Sequence, residues 1–367
     1  MKVLHISGAK SWGGNEQQLI YLIEQLNRLG VAQSLFCYEN TKLCELAGAY
    51  EINVITIPRL KPYNKAYRKL LKKCVIENNF DLLHLHTSDS VTGYVITDIL
   101  MRLKTKTVFS KKGISRKISA LSKYKYNYKN IHKILCVSQV VLNHFEEVLY
   151  AKNHSKLCVV YDGVKVENEV LASDFNIRRE FDIDNETKII GNIANHTRAK
   201  DLPTLIKTLH ALIYEKNFKD IHMIQIGEFS KLTPELQELV KDLKLEDYIS
   251  FIGFKTQASL LLPQFDVYLM TSEREGGPTT VLEAFYKKVP VVSTEVGIVG
   301  EAIEDAKNGF LTQVGDVAAL ADKLKILLES SSLSTKFKEI SYQQFILNYT
   351  AKKLGNNTYQ IYKEIVG

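Results

Sequence analysis

The sequence has no long apolar run and few cysteines. None of its apolar stretches approaches the ~20 residues that a membrane-spanning helix needs, and the apolar stretch Val3–Ile6 near the N-terminus is too short for a signal peptide. The five cysteines are an odd number, are widely spaced and form no C-x-x-C pair, which argues against a disulfide framework or a zinc site. The sequence therefore predicts a protein of the reducing cytoplasm.

Low-complexity tracts and short-period repeats are also missing, and the composition is that of an ordinary globular protein. The 367 residues are 45% hydrophobic and 24% charged, which suits two domains better than one core. Acidic residues are scarce in the first part of the chain: residues 1–170 hold 25 Lys and Arg against 14 Asp and Glu, whereas the remainder holds 23 against 27. We therefore expect the first part to contact something anionic.

Short β-branched runs alternate with amphipathic stretches along the chain, and the pattern restarts after the polar segment 165–180. Two successive β-α-β series predict an α/β protein with two doubly wound Rossmann-like domains that face each other across a cleft. We place the first domain at residues 1–164 and the second at 165–349, with a C-terminal helix at about 350–367 that packs back on the first domain. The strands are predicted at Val3–Ser7, Ser34–Tyr38, Val54–Ile57, Leu82–His86, Thr107–Ser110, Ile134–Val137, Cys158–Tyr161, Lys188–Ile193, His222–Ile226, Val267–Met270 and Val291–Ser293.

The segment from Ser272 to Ala284 carries the strongest chemical signal. It follows an apolar strand and reads Ser-Glu-Arg-Glu-Gly-Gly-Pro-Thr-Thr-Val-Leu-Glu-Ala. Pro278 suits the first position of a helix, and the amides at such a helix start bind anions such as a diphosphate. Glu275 and Glu283 beside a phosphate site would repel the ligand unless they bind hydroxyl groups, as an acidic residue does with ribose in Rossmann sites.

This segment resembles the E-x7-E motif of the family 4 glycosyltransferases, which have the GT-B fold and retain the anomeric configuration. The resemblance implies that Glu283 binds the ribose hydroxyls and that Glu275 contacts the transferred sugar. It places backbone amides near the donor. These belong to Gly276, Gly277, Thr279 and Thr280, while Pro278, which has no N–H, is assigned to the donor site as the helix start.

Other segments of the chain resemble further parts of this family. The Gly13-Gly14 pair is similar to the family's loop near the donor phosphates, and His86 ends a segment similar to its D-x-x-H-x-H strand. Gly227 matches a G-x-G loop only in part, because Phe229 replaces the second glycine. The segment from Phe251 to Gly253 is similar to an element near the base. For His86 a place in the core is as compatible with the sequence as a functional role.

One departure from the family concerns the cations that bind the donor diphosphate. The family supplies an arginine and a lysine after the first strand of the second domain. Lys200 fits the lysine position, whereas Asn192 or Asn195 stands near the place of the arginine. Arg198 is the candidate that could replace it. We expect Lys200, and with it Arg198, to act as the catalytic cations.

Two basic stretches account for the charge of the first domain. Residues 59–73 hold seven Lys and Arg, residues 111–133 hold eight, and neither stretch contains an acidic residue. Both include tyrosines, so they suit an anionic membrane surface or an anionic acceptor, with Lys111, Lys112 and Arg116 on the acceptor side. Alternatively, each is a helix whose apolar side packs on its own sheet. No nucleic-acid module is recognisable, and no nucleic-acid partner is expected.

These observations predict a retaining glycosyltransferase with a nucleotide diphosphate sugar, UDP-linked by our prediction, as donor. A glycan or lipid-linked acceptor of the cell envelope, such as lipopolysaccharide, suits the basic first domain. No cofactor and no metal are expected, because cationic side chains and a helix start neutralise the diphosphate. The enzyme would be cytoplasmic or peripheral on the inner face of the membrane. A sugar-nucleotide epimerase of the same architecture, or a non-catalytic glycan- or lipid-binding protein, remains the alternative.

Overall fold

The computed structural model divides the chain into two compact units. It describes residues 1–50, 52–114, 118–167 and 173–367. The first unit comprises Met1–Lys165 and Thr350–Gly367, and the second comprises Val166–Tyr349. The division lies one residue beyond the predicted boundary, and the C-terminal segment belongs to the first unit.

The first unit is built on a seven-stranded parallel sheet in the order β3-β2-β1-β4-β5-β6-β7. The chain runs outward from β1 in one direction and then from β4 in the other, which makes the sheet doubly wound. Its strands are β1 (Lys2–Ile6), β2 (Ala32–Tyr38), β3 (Asn53–Ile57), β4 (Leu82–Leu85), β5 (Lys106–Lys111), β6 (Lys133–Cys136) and β7 (Leu157–Val159). Its helices are α1 (Gly14–Arg28), α2 (Lys42–Ala47), α3 (Lys65–Asn78), α4 (Ser88–Met101), α5 (Ala120–Tyr126) and α6 (Gln139–Val148), with a 3-10 turn at Ala151–Lys156.

The second unit repeats this plan with six parallel strands in the order β10-β9-β8-β11-β12-β13. The strands are β8 (Lys188–Ile193), β9 (Ile221–Ile226), β10 (Ile249–Phe251), β11 (Val267–Met270), β12 (Val291–Thr294) and β13 (Phe310–Thr312). The helices are α7 (Ile177–Glu180), α8 (Leu202–His210), α9 (Thr233–Asp242), α10 (Thr279–Tyr286), α11 (Val299–Ala302), α12 (Val317–Glu329) and α13 (Ser331–Asn348); α14 (Ala351–Val366) then returns to the first unit. Two 3-10 turns (Arg198–Lys200 and Ala258–Gln264) and a π turn (Ala211–Glu215) complete it.

Both faces of the first sheet are covered, which explains why its strands read as nearly continuous apolar runs. Leu4 and Ile6 of β1 pack with residues of α3, α4 and α6 on one face. Val3 packs with α1 and α14 on the other, through side chains such as Leu22 and Tyr362. The two Rossmann-like units therefore each contain their own core, as the periodicity predicts.

Two strands of the second sheet were absent from the sequence prediction. These strands, β10 and β13, have three residues each and form the two edges of the sheet. Their apolar runs do not stand out from the flanking loops, unlike that of the equally short edge strand β7, which lies in a run of five apolar residues at 157–161.

All five cysteines are free thiols, in agreement with the sequence prediction. Within the ranges that the structure describes, no helix combines the length and the apolar character needed to cross a bilayer.

Candidate active site

The candidate donor site lies at the carboxyl ends of β8 and β11, which are neighbours in the second sheet. The chain leaves β8 toward one edge and β11 toward the other, so the loops after these strands diverge at the point where the winding reverses. Open α/β sheets bind ligands at such a switch point. The predicted residues Lys200 and Glu275 lie in these two loops.

The two loops bring together an ion pair that the sequence could not reveal. The Nζ atom of Lys200 lies 2.5 Å from Oε1 of Glu275, and the Ser272 hydroxyl donates to the same oxygen at 2.9 Å. The side chains of Lys200 and Glu275 are 27% and 14% exposed, so the pair is shielded yet reachable from solvent. A cation and a carboxylate therefore stand side by side, where a ligand carrying both phosphate and hydroxyl groups finds a partner for each.

Backbone contacts fix the positions of these loops. The amide of Glu273 donates to the carbonyl of Ala199 at 2.9 Å, which joins the loop after β11 to the turn that carries Lys200. The loop after β12 supports them through Gly297, which has a φ of +54°. A Cβ atom there would lie 2.7 Å from the carbonyl oxygens of Glu275 and Gly276. Only glycine fits this left-handed, closely packed position.

The predicted anion site at the start of α10 is present with one difference. The helix begins at Thr279, and Pro278 is its N-cap residue with a φ of −69° and a ψ of 99°. The sequence had placed Pro278 inside the helix, but its extended ψ excludes this. The loop Gly276–Gly277 leads into the helix, and Thr280 accepts a hydrogen bond of 2.9 Å from the buried Tyr268 hydroxyl. The first amides of the helix therefore have a fixed direction toward the loop.

Glu283 lies on the second turn of α10, where its side chain is half-buried. Burial raises the pKa of its carboxyl to about 7, and the nearby Lys287 ammonium lowers the pKa by a smaller amount. None of the hydrogen bonds among the described residues goes to its carboxylate oxygens. Partial burial disfavours an ionised carboxylate that has no hydrogen-bond partner, so hydroxyl groups of a ligand would stabilise its ionised form.

The Gly227 loop meets the segment from Phe251 to Gly253, which was predicted to lie near the base. The amide of Gly227 donates to the carbonyl of Gly253 at 3.0 Å, and a Cβ atom on Gly227 would lie only 1.9 Å from the Ala194 carbonyl oxygen. Phe251 is half-buried below them. Phe229, which replaces the second glycine of the family motif, is 48% exposed and borders Gly253. An aromatic ring is thus available beside the two glycines.

Neither Asn192 nor Asn195, which stand near the place of the family's arginine, replaces that arginine. Asn192 is buried and donates to the carbonyl of Leu269, so it serves the sheet. Asn195 accepts a hydrogen bond from the amide of Glu228 and fixes the Gly227 loop. Arg198 is exposed and lines a cavity of about 350 Å³ together with Glu235 and Glu273. Lys200 is therefore the cation that contacts Glu275, and Arg198 lies in the same 3-10 turn as Lys200.

In the first unit, His86 follows the carboxyl end of β4 and is partly exposed, whereas His84, two residues earlier, is fully buried. Gly13 is the N-cap residue of α1 in an extended conformation, and Gly14 is the first residue of that helix. Both features lie at the carboxyl edge of the first sheet, because β1 and β4 are parallel neighbours.

Comparison with known proteins agrees with this architecture. A family model described as Glycosyltransferase Family 4 matches residues 12–168, and one described as Glycosyl transferases group 1 matches residues 173–344. Together they span both units. The chain belongs to the family 4 glycosyltransferases.

Individual proteins similar to this glycosyltransferase share low identity over long stretches. The N-acetyl-alpha-D-glucosaminyl L-malate synthase of Bacillus anthracis is 23% identical over 321 residues, which are 86% of this chain and 83% of that protein. The O-antigen biosynthesis glycosyltransferase WclY of Escherichia coli is 27% identical over 64% of this chain and 63% of its own. The crystal structure of Anabaena Alr3699/HepE in complex with UDP and glucose superposes with a TM-score of 0.83 at 18% identity, covering 99% of this chain and 100% of that one. This last likeness shows the GT-B fold.

The lysines that we assigned to the acceptor side of the glycosyltransferase are not free cations. Lys112 forms a buried ion pair with Asp162. The ammonium of Lys111 lies 5.2 Å from the ring centre of Phe145, and burial lowers the pKa of this lysine. Arg116 lies outside the described residues. Lys111 and Lys112 therefore stabilise the first unit, and no acceptor contact follows from their positions.

Apolar residues of the two basic stretches pack in the core of the first unit of the glycosyltransferase. Tyr67, Leu71 and Cys74 of α3 are buried against the first sheet, as is Tyr126 at the end of α5. The apolar side of α3, which the sequence could assign either to a membrane or to the sheet, thus packs on the sheet. The charged side of α3 stays exposed.

Proposed function

We propose that the protein is a retaining glycosyltransferase that transfers a sugar from a UDP-sugar to a glycan or lipid-linked acceptor of the cell envelope. The observation that carries this proposal is the Lys200–Glu275 pair beside the start of α10, with Glu283 on the same helix. The donor would occupy the second unit and the acceptor the first. The role of WclY in O-antigen biosynthesis and the UDP and glucose bound in the HepE structure support these substrate classes.

Each group of the donor site has a role in this proposal. Glu283 would accept hydrogen bonds from the ribose hydroxyls, and Glu275 would bind a hydroxyl of the transferred sugar. Lys200 and the amides at the start of α10 would bind the diphosphate and stabilise the charge that develops on it as the glycosidic bond breaks. The acceptor hydroxyl would attack from the face that the diphosphate leaves, and a phosphate oxygen would take its proton. No protein base is then required.

The proposal predicts both a donor class and a stereochemical outcome. In a thermal-shift panel of nucleotide diphosphates and their sugars, we expect UDP-sugars to raise the melting temperature, because a ligand at 100 times its Kd adds about 2.7 kcal/mol of stability. With the stabilising donor, proton NMR of the first product should show the anomeric configuration of the donor. An inverted product would contradict the retaining mechanism.

The same experiment separates the alternatives. An epimerase would convert the UDP-sugar to its epimer without any acceptor. A non-catalytic binding protein would release neither UDP nor sugar over many hours. The Glu275→Gln variant serves as the control, because it keeps the size of the side chain and removes the carboxylate that we assign to the sugar.

We expect transfer to continue in the presence of EDTA. The only D-x-D sequence of the chain is Asp182-Ile183-Asp184, which precedes the amino end of β8. Lys200 follows the opposite, carboxyl end of that strand, so this pair of aspartates does not reach the site in which Lys200 lies. Rates within twofold of the untreated enzyme are expected after chelation and dialysis. Loss of activity that Mg²⁺ or Mn²⁺ restores would contradict metal-independent transfer.

We further propose that the protein is cytoplasmic and binds reversibly to the inner face of the membrane through the charged side of α3. Lys65, Lys69 and Lys73 are exposed on this side, and Tyr63 and Leu70 beside them are 59% and 36% exposed. Each such cation near an anionic leaflet contributes about 1 kcal/mol. The attraction decays over a Debye length of about 10 Å at 0.1 M salt.

Liposome sedimentation tests this membrane contact. We expect the protein to sediment with phosphatidylglycerol vesicles at low salt and to stay in the supernatant at high salt. A Lys65/Lys69/Lys73→Glu variant should lose binding. A Lys231/Lys241/Lys336→Glu variant makes the same charge change in the second unit and should keep it. Equal loss in both variants, or no sedimentation of the unmodified protein, would assign the basic side of α3 another role.

A further inference from the structure

A chain of hydrogen bonds runs through the first sheet to His86. It begins at Gln33 on β2, whose side-chain amide nitrogen donates to the carbonyl of Ile23 at 3.0 Å and to Oδ1 of Asn27 at 2.6 Å. The Ile23 carbonyl can only accept, so the amide group of Gln33 is held in one orientation. Its oxygen therefore faces the next member of the chain, His5.

The protonation of His5 follows from this orientation. Nε2 of His5 lies 2.9 Å from Oε1 of Gln33 and must donate to it. Burial lowers the pKa of His5 to about 4, so the ring is neutral near pH 7 and carries its single proton on Nε2. Nδ1 of His5 is consequently an acceptor. It lies 3.0 Å from Nε2 of His86, which must then carry a proton.

The remaining neighbours keep His86 neutral and leave its second nitrogen free. Burial, His84, His5 and the Lys112 ammonium together lower the pKa of His86 well below its ordinary value. Both ring nitrogens of His84 already have hydrogen-bond partners. Its Nδ1 lies 2.5 Å from the Tyr362 hydroxyl, and its Nε2 lies 2.7 Å from the Ser110 hydroxyl. Among the described residues, Nδ1 of His86 has no hydrogen-bond partner. With Nε2 protonated, this nitrogen presents a lone pair.

We propose that Gln33 and His5 are positioning residues that hold His86 as the Nε2–H tautomer, so that its Nδ1 accepts a hydrogen bond from a hydroxyl group of the sugar substrate. The substrate part of this inference rests on the proposed function. An imidazole whose tautomer is fixed by a neighbour is pre-organised, and its single free lone pair selects a hydroxyl, which donates, over a carbonyl or phosphate oxygen, which does not.

A metal ion is the competing use of these histidines, since one nitrogen from each of His5, His84 and His86 lies within 4.8 Å of the others. Metal binding needs unprotonated nitrogens with free lone pairs. In the chain described above, Nε2 of His5 and Nε2 of His86 carry protons and Nδ1 of His5 already accepts a hydrogen bond, so His5 has no nitrogen left for a metal.

The tautomer can be measured directly in the full-length protein without substrate. Nitrogen-15 chemical shifts of labelled histidines distinguish a protonated from an unprotonated ring nitrogen, and a His86→Gln variant assigns the signals of His86. We expect Nε2 of His86 to be protonated and Nδ1 to be unprotonated at pH 7. Protonation on Nδ1 instead, or a zinc ion that co-purifies in a 1:1 ratio and is held by His86, would overturn the proposal.

Two substitutions at His5 test the positioning role. His5→Phe fills the same space but removes the acceptor, so the Nε2–H tautomer of His86 should be lost and kcat/KM for the sugar donor should fall about tenfold, the usual weight of one hydrogen bond. In His5→Asn, the side-chain oxygen reaches about as far as Nδ1 of the imidazole. The Nε2–H tautomer of His86 and the kcat/KM for the sugar donor should therefore largely return.

These measurements distinguish the positioning role of His5 from substrate binding by His86. If His5→Phe changes the tautomer but not the kinetics, His86 does not bind the substrate. If it changes the kinetics while the tautomer stays fixed, His5 acts only on structure, and the positioning role fails. A protein without transferase activity but with the expected tautomer would refute the proposed function and leave the hydrogen-bond chain intact.

Discussion

A Lys200→Ala variant is expected to lose about 10²- to 10³-fold in kcat, the loss that follows removal of one group stabilising a developing negative charge. The ammonium of Lys200 would lie beside the donor diphosphate, whose charge grows as the glycosidic bond breaks. Its interaction is therefore stronger in the transition state than in the ground state, and kcat should fall more than KM for the donor rises. Steady-state kinetics with the stabilising UDP-sugar measure both.

The Lys200–Glu275 contact complicates this variant and also supplies its control. Removing Lys200 leaves the carboxylate of Glu275 with Ser272 as its hydrogen-bond partner, so part of the loss could come from a displaced Glu275. A double-mutant cycle with Lys200→Ala and Glu275→Gln separates the two effects. If Lys200 acts only by holding Glu275, the double variant will be no worse than Glu275→Gln alone. A neutral Lys200→Ala variant would transfer the role to Arg198.

The fold was accessible from the sequence because its signal is local and repeated. The strands buried on both faces form short apolar runs, such as Val3–Ile6 and Val267–Met270, and each run is followed by an amphipathic helix. Edge strands with three residues, such as Phe310–Thr312, escaped because they leave no comparable pattern. Where helices and strands alternate this regularly, chain order alone predicts the doubly wound sheet.

The candidate site could be predicted from the sequence only where its residues belong to the motif. Glu275 and Glu283 were predicted from their spacing, whereas the partner of Glu275 lies 75 residues earlier and is brought to it by neighbouring strands. The ion pair between Lys112 and Asp162 and the contact of His5 with His86 are similarly distant in sequence. No periodicity reports such pairs, because they depend on strand order.

The pairing also limits what charge counts can say about an acceptor, so the acceptor-side assignment stays a prediction. A lysine contributes to net charge whether it is exposed or paired in the interior. Lys112 is 13% exposed and neutralised by Asp162, so it adds nothing to the field that an acceptor would meet. The exposed lysines of α3 do contribute to that field, and the membrane proposal therefore rests on them alone.

Glu283→Gln is expected to stabilise the ligand-free protein at pH 8 and at the same time to weaken donor binding. Burial raises the pKa of Glu283 to about 7, above its ordinary value of 4.5. The folded state thus binds the proton more tightly than the unfolded state, and the free energy of unfolding falls as pH rises from about 4.5 to 7. At pH 8 the loss is on the order of 3 kcal/mol, at 1.36 kcal/mol per pKa unit.

Glutamine has no charge to bury, so the variant should lack this pH dependence. We expect the two proteins to have similar melting temperatures at pH 5, and the variant to melt several degrees higher at pH 8, since 1 kcal/mol corresponds to about 2–4 °C for a domain of this size. Equal melting temperatures at both pH values would show that Glu283 is ionised at no cost in the folded protein.

Donor binding should follow the opposite pH dependence. A ribose diol donates two hydrogen bonds, which the ionised carboxylate of Glu283 accepts and the protonated carboxyl accepts poorly. The affinity of the unmodified protein for UDP-glucose should therefore rise between pH 6 and pH 8, with uptake of the ligand releasing protons into the buffer. UDP-glucose is a suitable probe because its diphosphate is esterified at both ends and does not titrate in this range.

The Glu283→Gln variant should bind about 10- to 100-fold more weakly at pH 8, as expected for the loss of a charged hydrogen-bond acceptor worth about 1.5–3 kcal/mol. Its affinity should also be independent of pH. Calorimetry in two buffers of different ionisation enthalpy measures both the affinity and the proton release. An affinity that is unchanged in the variant would remove Glu283 from the ribose site, whatever the melting temperatures show.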